Sequence, residues 1–164
     1  MNAAALLALQ HVDSALDAVA NRRSRLPELT AHREVTDALT AHRAAMAVQQ
    51  AIVVAAQGRI DANEAAGRTI DAKKSRLEAQ LKTVIAPREA EALMSEIKVL
   101  EAEHGELDEQ ELHAMEEQAD AERQIASLTA AEPTLVDAVA TCAAALAAAS
   151  AALDAEQATL EGQR

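Results

Sequence analysis

"IAPREAEALMSEI", residues Ile85 to Ile97, is the point near the middle of the chain where a proline interrupts long helical patterning and a dense run of glutamate and apolar residues follows at once. Proline has no backbone N–H and pushes the residue before it out of helical geometry, so a first arm is expected to end near Ile85. Pro87 can then open a second helix, because the first helical turn needs no donor at that position. Glu89 and Glu91 suit the positive N-terminal end of that helix. A short connection between two long helices makes them antiparallel neighbours. The chain is therefore expected to double back near residue 86.

Both sides of this turn carry helical seams. Upstream, a 4-3 spacing runs through Val35, Leu39, His42, Met46, Gln49, Val53, Ala56, Ile60, Asn63, Gly67, Ile70, Lys74, Leu77, Leu81 and Val84, the heptad pattern of a coiled coil. As a helix it spans about 75 Å, far more than a globular helix. Downstream, Leu93, Ile97, Leu100, His104 and Leu107 begin a second seam. It weakens and returns as Ile125, Leu128, Glu132, Leu135, Val139, Cys142, Leu146, Ala149, Leu153, Glu156 and Leu160. Between the two parts Leu112 and Met115 sit one place out of phase, which predicts a local twist defect or a change of face.

Composition agrees with a thin helical assembly. Half of the 164 residues are hydrophobic, yet none is aromatic, and alanine carries much of that half. Without aromatic area an ordinary globular core would be poorly filled. The scarcity of Gly and Pro, with abundant Ala, Glu, Leu and Arg, fits a coiled coil.

Charge is divided between the arms. The chain carries a net −12; residues 1–82 hold a balance of +2 and residues 83–164 a balance of −14. Folding back at residue 86 sets Lys73, Lys74, Arg76 and Lys82 against the region of Glu89, Glu91, Glu96, Glu101 and Glu103. It also places Gly67 opposite Gly105, a pair of helix-weakening residues that predicts a bend or loosened segment, and residue 164 beside residue 8. Pro27, in "RRSRLPEL", coincides with a change of phase and predicts a break. Pro133 lies in unbroken phase and predicts a kink. Residues 1–25 either continue the arm as a bent hairpin, the preferred reading, or fold onto the base as a third helix. The expected fold is all-α, an elongated, kinked antiparallel coiled-coil hairpin with arm one at about 1–85, a tip at about 84–88 and arm two at about 88–164.

Catalytic chemistry finds little support. His11, His32, His42, His104 and His113 show no second motif that gathers them, and there is a single Glu-x-x-His, Glu101 to His104, where a dinuclear carboxylate site requires two together with further glutamates from other helices. His42 and His104 read better as polar seam residues that fix register. Cys142, in an alanine-rich stretch with no base or cation beside it, reads as a small buried apolar group. Phosphate loops and the common hydrolase and metalloprotease motifs are absent. The expectation is a non-enzyme without cofactors in this chain.

Two places exceed a structural reading. Arg22, Arg23 and Arg25 form a basic cluster that the proposed register places against the alanines near residues 147–150, where no carboxylate waits. Snorkelling over those alanines is the plain alternative. At the tip Val84, Ile85, Leu93 and Met94, with Arg88 beside them, have little opposite surface to cover them, which suits either partner docking or simple end-capping. The net negative charge weighs against binding of nucleic acid by the hairpin itself.

Four stretches, "LLALQHVD" (Leu6 to Asp13), "RLPEL" (Arg25 to Leu29), "APREAEALMSEI" (Ala86 to Ile97) and "ELDEQELHAMEE" (Glu106 to Glu117), resemble in order and spacing the coiled-coil part of bacterial C4-type zinc-ribbon proteins, a family with flagellar regulators and type III secretion-associated members. The resemblance implies a kinked hairpin followed by a zinc ribbon with two Cys-x-x-Cys pairs, acting as a regulator or adaptor. It implies protein contacts through the hairpin and nucleic-acid contact through the ribbon. This sequence reaches Arg164 with one cysteine, so zinc is expected only if a longer protein supplies the ribbon. Protein partners, a monomeric or homodimeric state and a cytoplasmic location complete the expectation, with a dimerising rod or spacer as the alternative. The longest uncharged stretch, Ala138 to Leu153, is mostly alanine and shorter than the ~20 strongly apolar residues of a bilayer span, so no membrane helix is expected. The N-terminus lacks the features of a secretory signal.

Overall fold

The computed structural model describes residues 3–164. It consists of three helices, α1 (Ala3–Ser24), α2 (Pro27–Leu81) and α3 (Pro87–Gly162), with no strand among the described residues. Contacts divide the chain into two units, Ala45–Leu128 and Met1–Ala44 with Thr129–Arg164.

In the first of these units α2 and α3 pair antiparallel on either side of the turn. Lys74 Nζ lies 2.7 Å from Glu101 Oε1, Gln118 Nε2 donates to Gln57 Oε1 at 3.2 Å, and Arg59 pairs with Glu117. The doubling back is as the proline predicts. The register is not: Lys74 and Gln57 meet residues about three places further along α3 than a turn centred on residue 86 would give. Gly67 lies against the side chain of His104 rather than against Gly105. A Cβ at Gly67 would sit 3.5 Å from His104 Nε2, while one at Gly105 would meet nothing within 4 Å.

Neither glycine interrupts its helix, so the predicted loosened segment does not form. Flanking turns with good helix formers hold each isolated glycine in place. Replacing Gly67 with alanine is expected to stabilise the protein by up to about 1 kcal/mol, since it adds helix propensity and meets only an ordinary contact. A thermal melt checks this, and a lower Tm would contradict it.

The first heptad seam is covered along its whole length, from Val35 to Val84, with Ala56, Ile60, Gly67 and Ile70 buried. The predicted phase defect in α3 is absent. Coverage continues at 4-3 spacing from Leu107 through Glu111, Ala114, Gln118, Ala121 and Ile125. Ala114 and Ala121 are 1% and 2% exposed, while Leu112 and Met115 are turned outward at 59% and 51%. Small side chains let two helices approach closely. The apparent change of phase arose from weighting residues by hydrophobicity, which favours Leu and Met over Ala.

In the second unit α1 and the start of α2 follow one another along the last part of α3. Arg43 Nε bonds Glu132 Oε1 at 2.8 Å, Arg22 pairs with Glu156, and Arg164 Nε lies 3.4 Å from Asp13 Oδ1. That order supports the bent hairpin over a third helix folded onto the base. It also places residue 164 beside Asp13, not residue 8. The break before Pro27 is real: α1 ends at Ser24 and Pro27 opens α2. Among the described residues, Val19 and Leu153 are the buried apolar side chains here, at 1% and 7% exposure.

Pro133 lies inside α3, which runs on through it. The helix also contains one window of mean hydropathy 1.8 that is long and apolar enough, by length and composition, to cross a membrane. Its apolar character comes largely from alanine, which contributes little transfer energy per residue.

Candidate functional site

At the turn, helix α2 stops at Leu81, four residues before the expected end. Thr83, Val84 and Ile85 are three consecutive β-branched residues, poor helix formers, and Ala86 is restricted by the proline after it. Thr83 Oγ1 donates to the Gln80 carbonyl at 2.8 Å, which the amides of Thr83 and Val84 also reach at 2.9 and 3.2 Å. On the other side the Ala86 carbonyl accepts from the amides of Glu89 and Ala90, both at 3.1 Å. The backbone of the turn is thus tied to both helix ends.

This framework separates the four apolar tip residues. Val84 and Leu93 are half-buried, whereas Ile85 is 96% exposed and Met94 52%. Arg88 is exposed and makes no ion pair among the described residues. An isoleucine with almost no cover is unfavourable in water, and at a hairpin end it forms a small apolar knob beside a cation.

The basic cluster is placed differently from the expectation. Carboxylates do wait for it: Arg22 pairs with Glu156 and Arg23 with Asp154, and Arg23 also reaches Gln157 at 3.4 Å. The sequence register erred by several residues at this distance from the turn. Arg25 makes no ion pair among the described residues. It borders an open groove of about 530 Å³ at the α1–α2 break, whose floor includes Leu26, Pro27, Ala149 and Leu153. Tip and cluster lie in separate units of the chain.

A polar layer occupies the seam nearer the turn. His104 Nδ1 lies 3.1 Å from Asp108 Oδ2 and its Nε2 3.6 Å from Asp71 Oδ1. Next to it, the hydrogen bond to Glu101, reinforced by that carboxylate's charge, raises the Lys74 pKa. The same hydrogen bond and the Lys74 charge lower that of Glu101. A lowered acid stabilises the fold above the ordinary carboxylate range and loses that contribution as pH falls through the folded pKa. A raised lysine contributes below its ordinary range and loses the contribution as pH rises through its folded pKa. The pair therefore acts across the neutral window. Glu101→Gln is expected to reduce the acid-side loss of stability, measured as Tm against pH, and an unchanged acid-side slope would contradict the assignment.

Among the described residues no group of three or more His, Cys, Asp or Glu is arranged to hold a metal ion. Cys142 is a free, half-buried thiol. His113 lies at the surface in a polar groove of about 470 Å³ with Arg59, Asn63, Glu106, Glu109 and Gln110. The outward pair Leu112 and Met115 was missed as a surface feature. Extending the 4-3 count inward from Leu107 and from Ile125 would have revealed it.

No curated protein and no solved structure matches the chain. A family model described as a CT398-like coiled coil hairpin domain matches residues 9–164, which covers the turn, both seams and the break at Pro27. A coiled-coil hairpin domain suggests a structural or interaction module. With a match over nearly its whole length, this chain belongs to the family of CT398-like coiled-coil hairpin domains.

Proposed function

We propose that the hairpin is a non-enzymatic adaptor that meets a protein partner through its tip. The observation that carries this reading is the 96% exposure of Ile85 on a turn whose backbone is hydrogen-bonded to both helices. Apolar side chains presented on a rigid turn lose little entropy on binding and gain the area they cover. Met94 and Arg88 extend the contact, and Arg25 with its groove offers a second one at the base. Arg22 and Arg23 contribute less, since each already has a carboxylate. The module acts in the cytoplasm and needs no cofactor of its own.

A regulatory role, zinc and contact with nucleic acid rest on the resemblance to zinc-ribbon proteins and would come from a ribbon outside these residues. The structural reading, a spacer or dimerising rod, is favoured by the continuous covered seam of α2. Affinity capture with the wild-type chain and with Ile85→Asp separates the two. The adaptor reading expects partner recovery to fall at least about tenfold with an unchanged melt, because a charge is forced into the contact. Undiminished recovery would remove the tip from the account, and a tight dimer in sedimentation would favour the rod.

A further inference from the structure

Leu112 and Met115 are the largest apolar side chains between Leu107 and Ile125, yet the covered positions there belong to alanine, glutamate and glutamine. A single exposed leucine is ordinary. Here two large apolar residues three apart, adjacent on a helix surface, stand 59% and 51% exposed, and the exposed Ala119 one turn on extends the stripe. By helical spacing the exposed Glu109 and Glu116 flank Leu112, and the exposed Glu122 lies two turns beyond Met115. None of these three carboxylates has a salt-bridge partner among the described residues. The nearby cations are engaged elsewhere, Arg59 by Glu117 and Arg123 by Asp120.

An apolar stripe inside an uncompensated negative frame defines its complement. The partner must bring apolar residues at helical spacing with lysine or arginine on both sides. We propose that this outer face of α3 docks a basic amphipathic helix of a partner protein. Opposite charge speeds the encounter and rejects acidic competitors. A second copy of this chain, itself at −12, is disfavoured by repulsion. The surface is independent of the tip and stands whether or not the tip binds anything.

The chain has no Trp, Tyr or Phe and four Met, which allows a direct test on the full chain. The probe is a designed lysine-leucine amphipathic helix carrying one tryptophan, so that all tryptophan fluorescence reports the peptide. Methionine methyl labelling distinguishes Met115 on this face from Met94 at the tip. The expected result is a shift of the Met115 signal with Met94 unmoved, and an affinity at least about tenfold weaker in the double variant Leu112→Gln, Met115→Gln, whose melt stays that of the wild type because both sites are exposed. A peptide with leucines replaced by serine should bind at least as weakly. The proposal is overturned if Met94 shifts in place of Met115, if the double variant or the serine peptide binds as well as the originals, or if the wild type sediments as a dimer that the double variant dissolves.

Discussion

Replacing Ala114 with leucine is expected to destabilise the protein by about 1–3 kcal/mol, the opposite of what a heptad count alone would suggest. Ala114 is 1% exposed, and Ala56 and Ala121 in the same unit are 0% and 2% exposed. Each is a methyl group sealed by its surroundings. A leucine there requires the arms to separate or its own side chain to leave its preferred rotamers. Leucine at an ordinary coiled-coil seam position stabilises by adding buried area, so the sign of the effect distinguishes a close alanine seam from a conventional one. Denaturant unfolding followed by circular dichroism measures it, and a gain in stability would contradict the close approach. Leu112→Gln, on the outward face and exposed at 59%, should change stability by no more than about 0.5 kcal/mol.

Ile70→Ala is expected to cost about 2–3 kcal/mol, for the reverse reason. Ile70 and Leu100 are each 8% exposed and border the same surface hollow with Lys74, Glu101 and His104. Removing the isoleucine leaves a void next to the polar layer, where neither the histidine nor the lysine can move in without giving up its partner. The effect should be concentrated near the turn, so hydrogen exchange should accelerate in residues 66–74 and 97–104 before it does elsewhere. A loss below about 1 kcal/mol, within the range of ordinary surface substitutions and small local changes, would mean that this layer contributes little.

The turn was legible because proline acts locally: whatever surrounds it, it cannot donate a hydrogen bond and restricts the residue before it. The first seam was legible for a related reason, since every position from Val35 to Val84 obeys one spacing. Register was harder to read. A turn constrains the pairing only through its own geometry, and the extra unwound residues from Lys82 to Ala86 moved the partners of Gln57 and Lys74 along α3. A larger displacement, on the far side of the α1–α2 break, supplied Glu156 and Asp154 to Arg22 and Arg23. In the middle of α3, residue size misled: Leu112 and Met115 look like core by chemistry, and only their phase relative to Leu107 and Ile125 marks them as surface.

The exposure of individual tip residues also lay beyond the sequence. Val84 and Ile85 are chemically alike and adjacent, and only the path of the chain through the turn decides that one is half-buried and the other 96% exposed. The Lys74–Glu101 pair followed from the charge division between arms, although its particular partners did not.

Helices α2 and α3 lie side by side because the chain reverses at Pro87. Spin labels at cysteines replacing Gln57 and Gln118, in a chain with Cys142→Ser and diluted with unlabelled protein, test it by pulsed dipolar spectroscopy. The two native side chains are hydrogen-bonded at 3.2 Å, so the labels should report a single short separation of about 20 Å or less, allowing for two linkers on helices packed 8–10 Å apart. A distribution centred near 90 Å, the span of the intervening residues as one uninterrupted helix at about 1.5 Å each, would contradict the account.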